Sequence, residues 1–164
     1  LSVHSGSDKF SLYPIINRLI RRHQAGLHVK TAGTTWLEEV IGLAQAGGEA
    51  LTIAQDIYQG AFAKYDDLTA PYRTVIDIDR ATLPTPQEVS GWTSAQFVGA
   101  LRHDQGHPGY HPGFRQLIHV GFKVAAYMGP RYTDALVRYR PTIAANVAAN
   151  LLDRHLLPIF LTPG

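Results

Sequence analysis

Two histidines, His4 and His28, each belong to a short apolar run that opens into a loop of hydroxyl residues, glycine and one lysine: HSGSDK over 4–9 and HVKTAGTT over 28–35. Neutral imidazole is a common ligand for a catalytic divalent cation, and such centres keep positions open for substrate. Two imidazoles are not a full set, so a third ligand would come from Asp79, Asp77 or chain outside these residues. The plainer reading is that each ring hydrogen-bonds at a strand end. Ser5, Ser7, Asp8 and Lys9 in the first loop, and Lys30 and Thr31 in the second, could hold a carboxylate or phosphate through hydroxyls, backbone N–H groups and charge. Ordinary turn chemistry uses the same residue types. Lys30 and Asp79 are the candidates for acid–base work. Arg115, His119 and Lys123 fall at i, i+4 and i+8, with His111 just before them, and form either a cationic lid or a solvated or inter-helix face. No Walker A pattern, GxGxxG or GxSxG is present, and the chain has no cysteine. Acid–base chemistry at a metal is the reading these residues leave.

These groups need strands and helices to place them. Alternation over 1–4 and 27–30 predicts two strands with Leu1, Val3, Leu27 and Val29 on one face and the histidines and Lys30 on the other. Parallel βα-units carry ligand chemistry at strand C-terminal ends. Leu12, Ile15, Ile16, Leu19 and Ile20 predict one buried helical stripe, with Pro14 in its first turn. Thr35 to Glu38 reads as a capping box opening a second helix, which Gly47-Gly48 ends. A third helix runs to Tyr65, and 66–71 reads as loop. Val75 to Asp79 alternates like a third strand. Capping boxes start helices at Thr85 and Thr93. The stretch DQGHPGYHPG over 104–113 cannot be regular. Helices are expected over 114–127, over 132–139 and from 142 to about 158.

At 164 residues, 45% hydrophobic and 17% charged, the chain is one domain's worth of globular protein. A formal net charge of +2 without a basic block argues against a nucleic-acid partner. No apolar run is long enough to span a bilayer, and the composition suits the cytoplasm. The sequence starts inside an apparent strand, and the strands are too few to complete a sheet. The expectation is a single α/β domain over 1–164. It would form a partial (β/α)8 TIM-type barrel with βα-units first and a helix-rich C-terminal half. The rest of the barrel would come from a missing N-terminal portion or a homo-oligomer partner.

HSGSDKFSLYP and LHVKTAGTTWLE, and more loosely IDIDRATLP, RQLIHVGFK and NLLDRHLLPIF, resemble the C-terminal part of the tagaturonate/fructuronate epimerase family over nearly the whole chain. The resemblance implies a (β/α)8-type barrel that interconverts D-tagaturonate and D-fructuronate at C4 with a divalent metal cation. His4 and His28 would be metal ligands. Ser5, Ser7, Asp8, Lys9, Lys30 and Thr31 would contact the small anionic sugar acid, and Arg115 and His119 join them as substrate-binding candidates from the helix-face reading above. The C4 hydrogen is not adjacent to the C2 carbonyl, so simple enolisation cannot invert that centre. Retro-aldol cleavage with re-closure and transient oxidation both remain open. A metal-dependent sugar aldolase or isomerase on the same scaffold is the rival enzyme reading. A non-catalytic fragment that binds a sugar acid is the third.

Overall fold

The computed structural model describes residues 2–4 and 8–161, His4 through its backbone alone. Two strands, β1 (Ser2–His4) and β2 (His28–Lys30), pair in parallel with Ser2 opposite His28, Val3 opposite Val29 and His4 opposite Lys30. Helix α1 (Tyr13–Arg22) connects them. The expected βα-unit is therefore present in its smallest form. Among the described residues the sheet has two strands.

Helices build the rest. α2 (Ala32–Ala46) and α3 (Gly48–Ala63) lie at the centre, separated at Gly47, whose φ of +73° is glycine backbone. Around them pack α4 (Tyr65–Thr69), α5 (Pro86–Ser90), α6 (Ser94–Leu101), α7 (Pro112–Val120), α8 (Phe122–Met128), α9 (Pro130–Arg138) and α10 (Arg140–Ala148). A π-helical segment, Ala149–Leu161, follows α10 and packs against α1. α2 is buried around most of its circumference, from Thr34 to Ala44. Its contact with α10 is so close that a Cβ on Gly42 would lie 2.6 Å from the Ile143 Cα. Tyr58, Phe97 and Phe114 fill the layer between α3, α6 and α7, with ring centroids 4.5 and 5.2 Å from Phe114. No helix among the described residues is long and apolar enough to cross a membrane.

Several sequence expectations need correction. α2 begins at Ala32, so Thr35 lies inside the helix and opens no capping box. Thr85 and Thr93 do form reciprocal boxes, with Glu88 and Gln96. Residues 66–71, expected as loop, continue as α4 and a 3-10 turn. The alternating stretch 75–79 is not a strand. Its backbone pairs with a side chain instead: Asp77 N–H donates to Gln116 Oε1 at 2.9 Å, and Gln116 Nε2 donates to the Asp77 carbonyl at 3.1 Å. The expected helix over 114–127 breaks at Gly121, which separates α7 from α8. The apolar stripe of α1 is also only partly covered, with Ile16 and Ile20 half-buried. Leu12, Ile15 and Leu19 are exposed, whereas Tyr13 and Asn17 are buried. Asn17 is held by donating to the Ile159 carbonyl at 2.7 Å.

Candidate functional site

The loop after β1 and the first turn of α2, which follows β2, meet at a buried carboxylate. Asp8 is 3% exposed, in a left-handed conformation with φ of +45°. The Thr34 hydroxyl, in the first turn of α2, donates to its Oδ1 at 2.9 Å. Arg115, from the first half of α7, donates to its Oδ2. The His103 Nδ1 lies 3.4 Å from Oδ2, and the His155 Nε2 lies 3.7 Å from Oδ1. Burial by itself would raise the Asp8 carboxyl. The His103 ring, the Arg115 charge and the Thr34 hydroxyl outweigh burial and hold it below the usual carboxylate value. Four other parts of the chain therefore converge on this one side chain.

A second buried carboxyl, Glu38, sits one turn further along α2 from Thr34 and accepts from Asn150 Nδ2 at 2.9 Å. Burial pushes it up, against the pull of Arg102 and Arg115. His155 is fixed on the same side through the Asn150 carbonyl, 2.9 Å from its Nδ1.

Beside this cluster opens a cavity of about 870 Å³, within the size range of small-molecule sites. Its polar wall carries Lys9, His103, Arg115, Gln116 and His119, and its apolar wall carries Trp36, Tyr72, Ile76, Tyr110 and Phe122. Ala32 and Gly33 bring the first turn of α2 to the edge. The His119 ring points head-on at Gly33, where a Cβ would lie 2.4 Å from Nε2. Burial, and then the Arg115 charge one turn away, lower the His119 pKa and favour the uncharged ring. His103 stacks on Tyr110 at 5.9 Å.

The residues singled out from sequence divide into groups. Lys9, Arg115 and His119 come together at the cavity, and Asp8 stands behind it. Arg115 is not a mobile lid. It is buried, with Nη1 donating to the Leu101 carbonyl at 2.7 Å and Nη2 donating to Asp8. Lys123 is on the next helix and does not extend the face of Arg115 and His119. Thr31 precedes α2 and makes no side-chain cap. Lys30 ends β2 beside His4 and is exposed. His28 starts β2, opposite Ser2, with an exposed side chain. Its backbone sits two residues before the position opposite His4, about 7 Å along the strand. Asp79 accepts from Ala81 N–H at 2.9 Å and caps a 3-10 turn. Ser5, Ser7 and the His4 side chain lie outside the described residues. No group of three or more His, Cys, Asp or Glu side chains among the described residues is arranged to hold a metal ion.

Sequence reasoning passed over His103, Tyr110 and Trp36 as wall residues, and Thr34, Glu38 and His155 as partners around Asp8. One local signal existed. Gly33 lies in the first turn of a helix, where glycine is costly without a close neighbour.

The family model for tagaturonate epimerase, UxaE, matches residues 1–128 and leaves α9, α10 and the π-helical segment outside. A tagaturonate/fructuronate epimerase of Thermotoga maritima is 32% identical over 125 residues, which are 74% of this chain and 21% of that protein. The chain thus spans about a fifth of the length of the curated relative it matches. No solved structure matches.

Proposed function

The chain belongs to the tagaturonate epimerase family, and from that premise we propose that it contributes a ketouronate-binding cavity to an enzyme interconverting D-tagaturonate and D-fructuronate at C4. The observation that carries this reading is the position of the cavity. It opens where the loop after β1 is tied to the first turn of α2, with a lysine on one wall and aromatic rings on the other. A hexuronate offers matching features: one carboxylate, a row of hydroxyls and apolar C–H faces.

β1 and β2 are then two consecutive strands of a (β/α)8-type barrel, and the remaining strands come from a further portion of polypeptide or from a partner copy. His4 and His28 have the donor chemistry for a divalent cation and lie on neighbouring parallel strands, so they would form part of its ligand set. The cation, when bound, would polarise carbonyl and hydroxyl oxygens of the substrate. The work of this chain's own residues is to bind and orient. Lys9 meets the anionic end, Trp36 and Tyr110 cover apolar faces of the sugar, and His119 offers an uncharged ring.

The test is direct. D-tagaturonate is incubated with the enzyme containing this chain and D-fructuronate is measured, alongside His4→Ala and His28→Ala variants. Loss of turnover together with loss of bound metal supports the reading, and unchanged turnover and metal content reject the ligand assignment. Preference for a sugar phosphate over both ketouronates would reject the substrate assignment.

A further inference from the structure

Two imidazoles lie on the cavity wall among the described residues, His103 and His119, and they are held differently. His119 is pressed against Gly33. His103 has a carboxylate behind it. Its Nδ1 is buried and faces Asp8 Oδ2 at 3.4 Å. Asp8 is held in its ionised form, and an ionised carboxylate only accepts hydrogen bonds. The nitrogen that faces it therefore carries the proton. The partner of one ring nitrogen sets the role of the other, so the lone pair of His103 falls to Nε2.

The ring is fixed on its other sides as well. Tyr110 stacks on it at 5.9 Å with 16° between the planes, and the Phe10 ring lies 5.4 Å away. The His103 carbonyl accepts from Arg154 Nη2 at 2.9 Å, and the Arg154 guanidinium carbon sits 3.8 Å from the Phe10 ring centroid. Asp8 is itself held, because Thr34 donates to one of its oxygens and Arg115 to the other. At Nε2 the exposed Gln105 side chain brings its amide nitrogen to 3.5 Å, the outer limit of a hydrogen bond. Both side chains line the cavity. Neighbouring histidines use their nitrogens internally. His107 Nδ1 accepts from Gly109 N–H at 3.0 Å. His111 Nδ1 accepts from Phe114 N–H at 3.1 Å, and its Nε2 lies 2.9 Å from the Thr82 carbonyl.

We propose that His103 is a substrate-binding residue of this cavity, presenting Nε2 as an oriented acceptor for one hydroxyl of the sugar acid, with Asp8 as the positioning residue that holds its tautomer. The inference rests on the sugar-acid reading above and adds a contact to it. A sugar hydroxyl donates as well as accepts, and the cations of the wall can only donate. Nε2 takes the hydroxyl proton in a hydrogen bond and displaces the long Gln105 contact. The ring is set before the ligand arrives, so little rotamer freedom is lost on binding.

The enzyme containing this chain is labelled with 15N at histidine and examined by NMR at a pH where its imidazoles are neutral, with and without saturating D-tagaturonate. His103 is expected to carry its proton on Nδ1, and the opposite tautomer overturns the inference. The ketouronate should move the His103 Nε2 resonance toward the protonated range while leaving the His111 resonances in place. Binding seen by calorimetry with Nε2 unmoved overturns the inference and leaves the site reading intact. His103→Phe keeps a ring against Tyr110 and removes the acceptor. With its fold checked by circular dichroism, it should bind D-tagaturonate roughly threefold to tenfold more weakly, the scale of one neutral hydrogen bond. Unchanged affinity in that variant also overturns the inference. A wild-type enzyme that binds no ketouronate overturns the site reading and the inference together.

Discussion

Asp8 and Arg115 lie 107 residues apart in sequence and form a buried ion pair at the back of the cavity, with side chains 0% and 8% exposed. The pair joins the loop after the first strand to the first half of α7. Thr34 extends the link to α2.

Breaking this pair from one side leaves an uncompensated buried charge. Asp8→Ala and Arg115→Met are each expected to cost about 3–5 kcal/mol in urea unfolding. Because the folded-state Asp8 pKa is lowered, its contribution is present above the unfolded carboxylate value and is lost as pH falls through the folded one. In Asp8→Ala the acid limb of the stability curve should flatten.

Glu38 carries the opposite sign. Burial raises its folded-state pKa, so its contribution is complete below the unfolded value and fades as pH rises through the folded one. Glu38→Gln preserves an acceptor for Asn150 and removes the titration. It should unfold at higher denaturant than wild type at pH 7. The two proteins should converge near pH 4.

Two glycine substitutions separate a movable neighbour from a fixed one. At Gly42 an added Cβ meets the Ile143 backbone at 2.6 Å, and Gly42→Ala should cost about 1–3 kcal/mol in thermal unfolding. At Gly33 the Cβ meets the far end of the His119 ring. There alanine's better helix propensity, up to about 1 kcal/mol, offsets much of the strain. Gly33→Ala should stay near wild-type stability while shifting the His119 ring resonances by NMR.

Helix starts can be tested the same way. Thr85→Ala and Thr93→Ala should each cost about 1 kcal/mol, because both hydroxyls accept from the third helical N–H. Thr31→Ala should fall within about 0.5 kcal/mol in the same denaturation assay, since that side chain makes no cap.

The sequence by itself determined the local features. The capping boxes at Thr85 and Thr93, the stop at Gly47 and the alternation of the two short strands all depend on residues no more than four apart. So does the grouping of Arg115 with His119 on one face of α7. Such signals survive without knowledge of the fold, because the hydrogen bonds and φ angles that create them close within one turn.

Only the tertiary structure decided which partners the polar groups find. Arg115 reads as a lid or a solvated or inter-helix cation, but it is buried and bonded to Asp8. The 75–79 stretch reads as a strand because its alternation is real, yet its backbone groups find Gln116, 39 residues away. The stripe of α1 reads as core, yet Asn17 points inward because the Ile159 carbonyl, 142 residues on, waits for it. The physical reason is common to all three. The value of a polar or charged group inside a protein is set by its partner, and partners far along the chain carry no periodicity for a sequence to display.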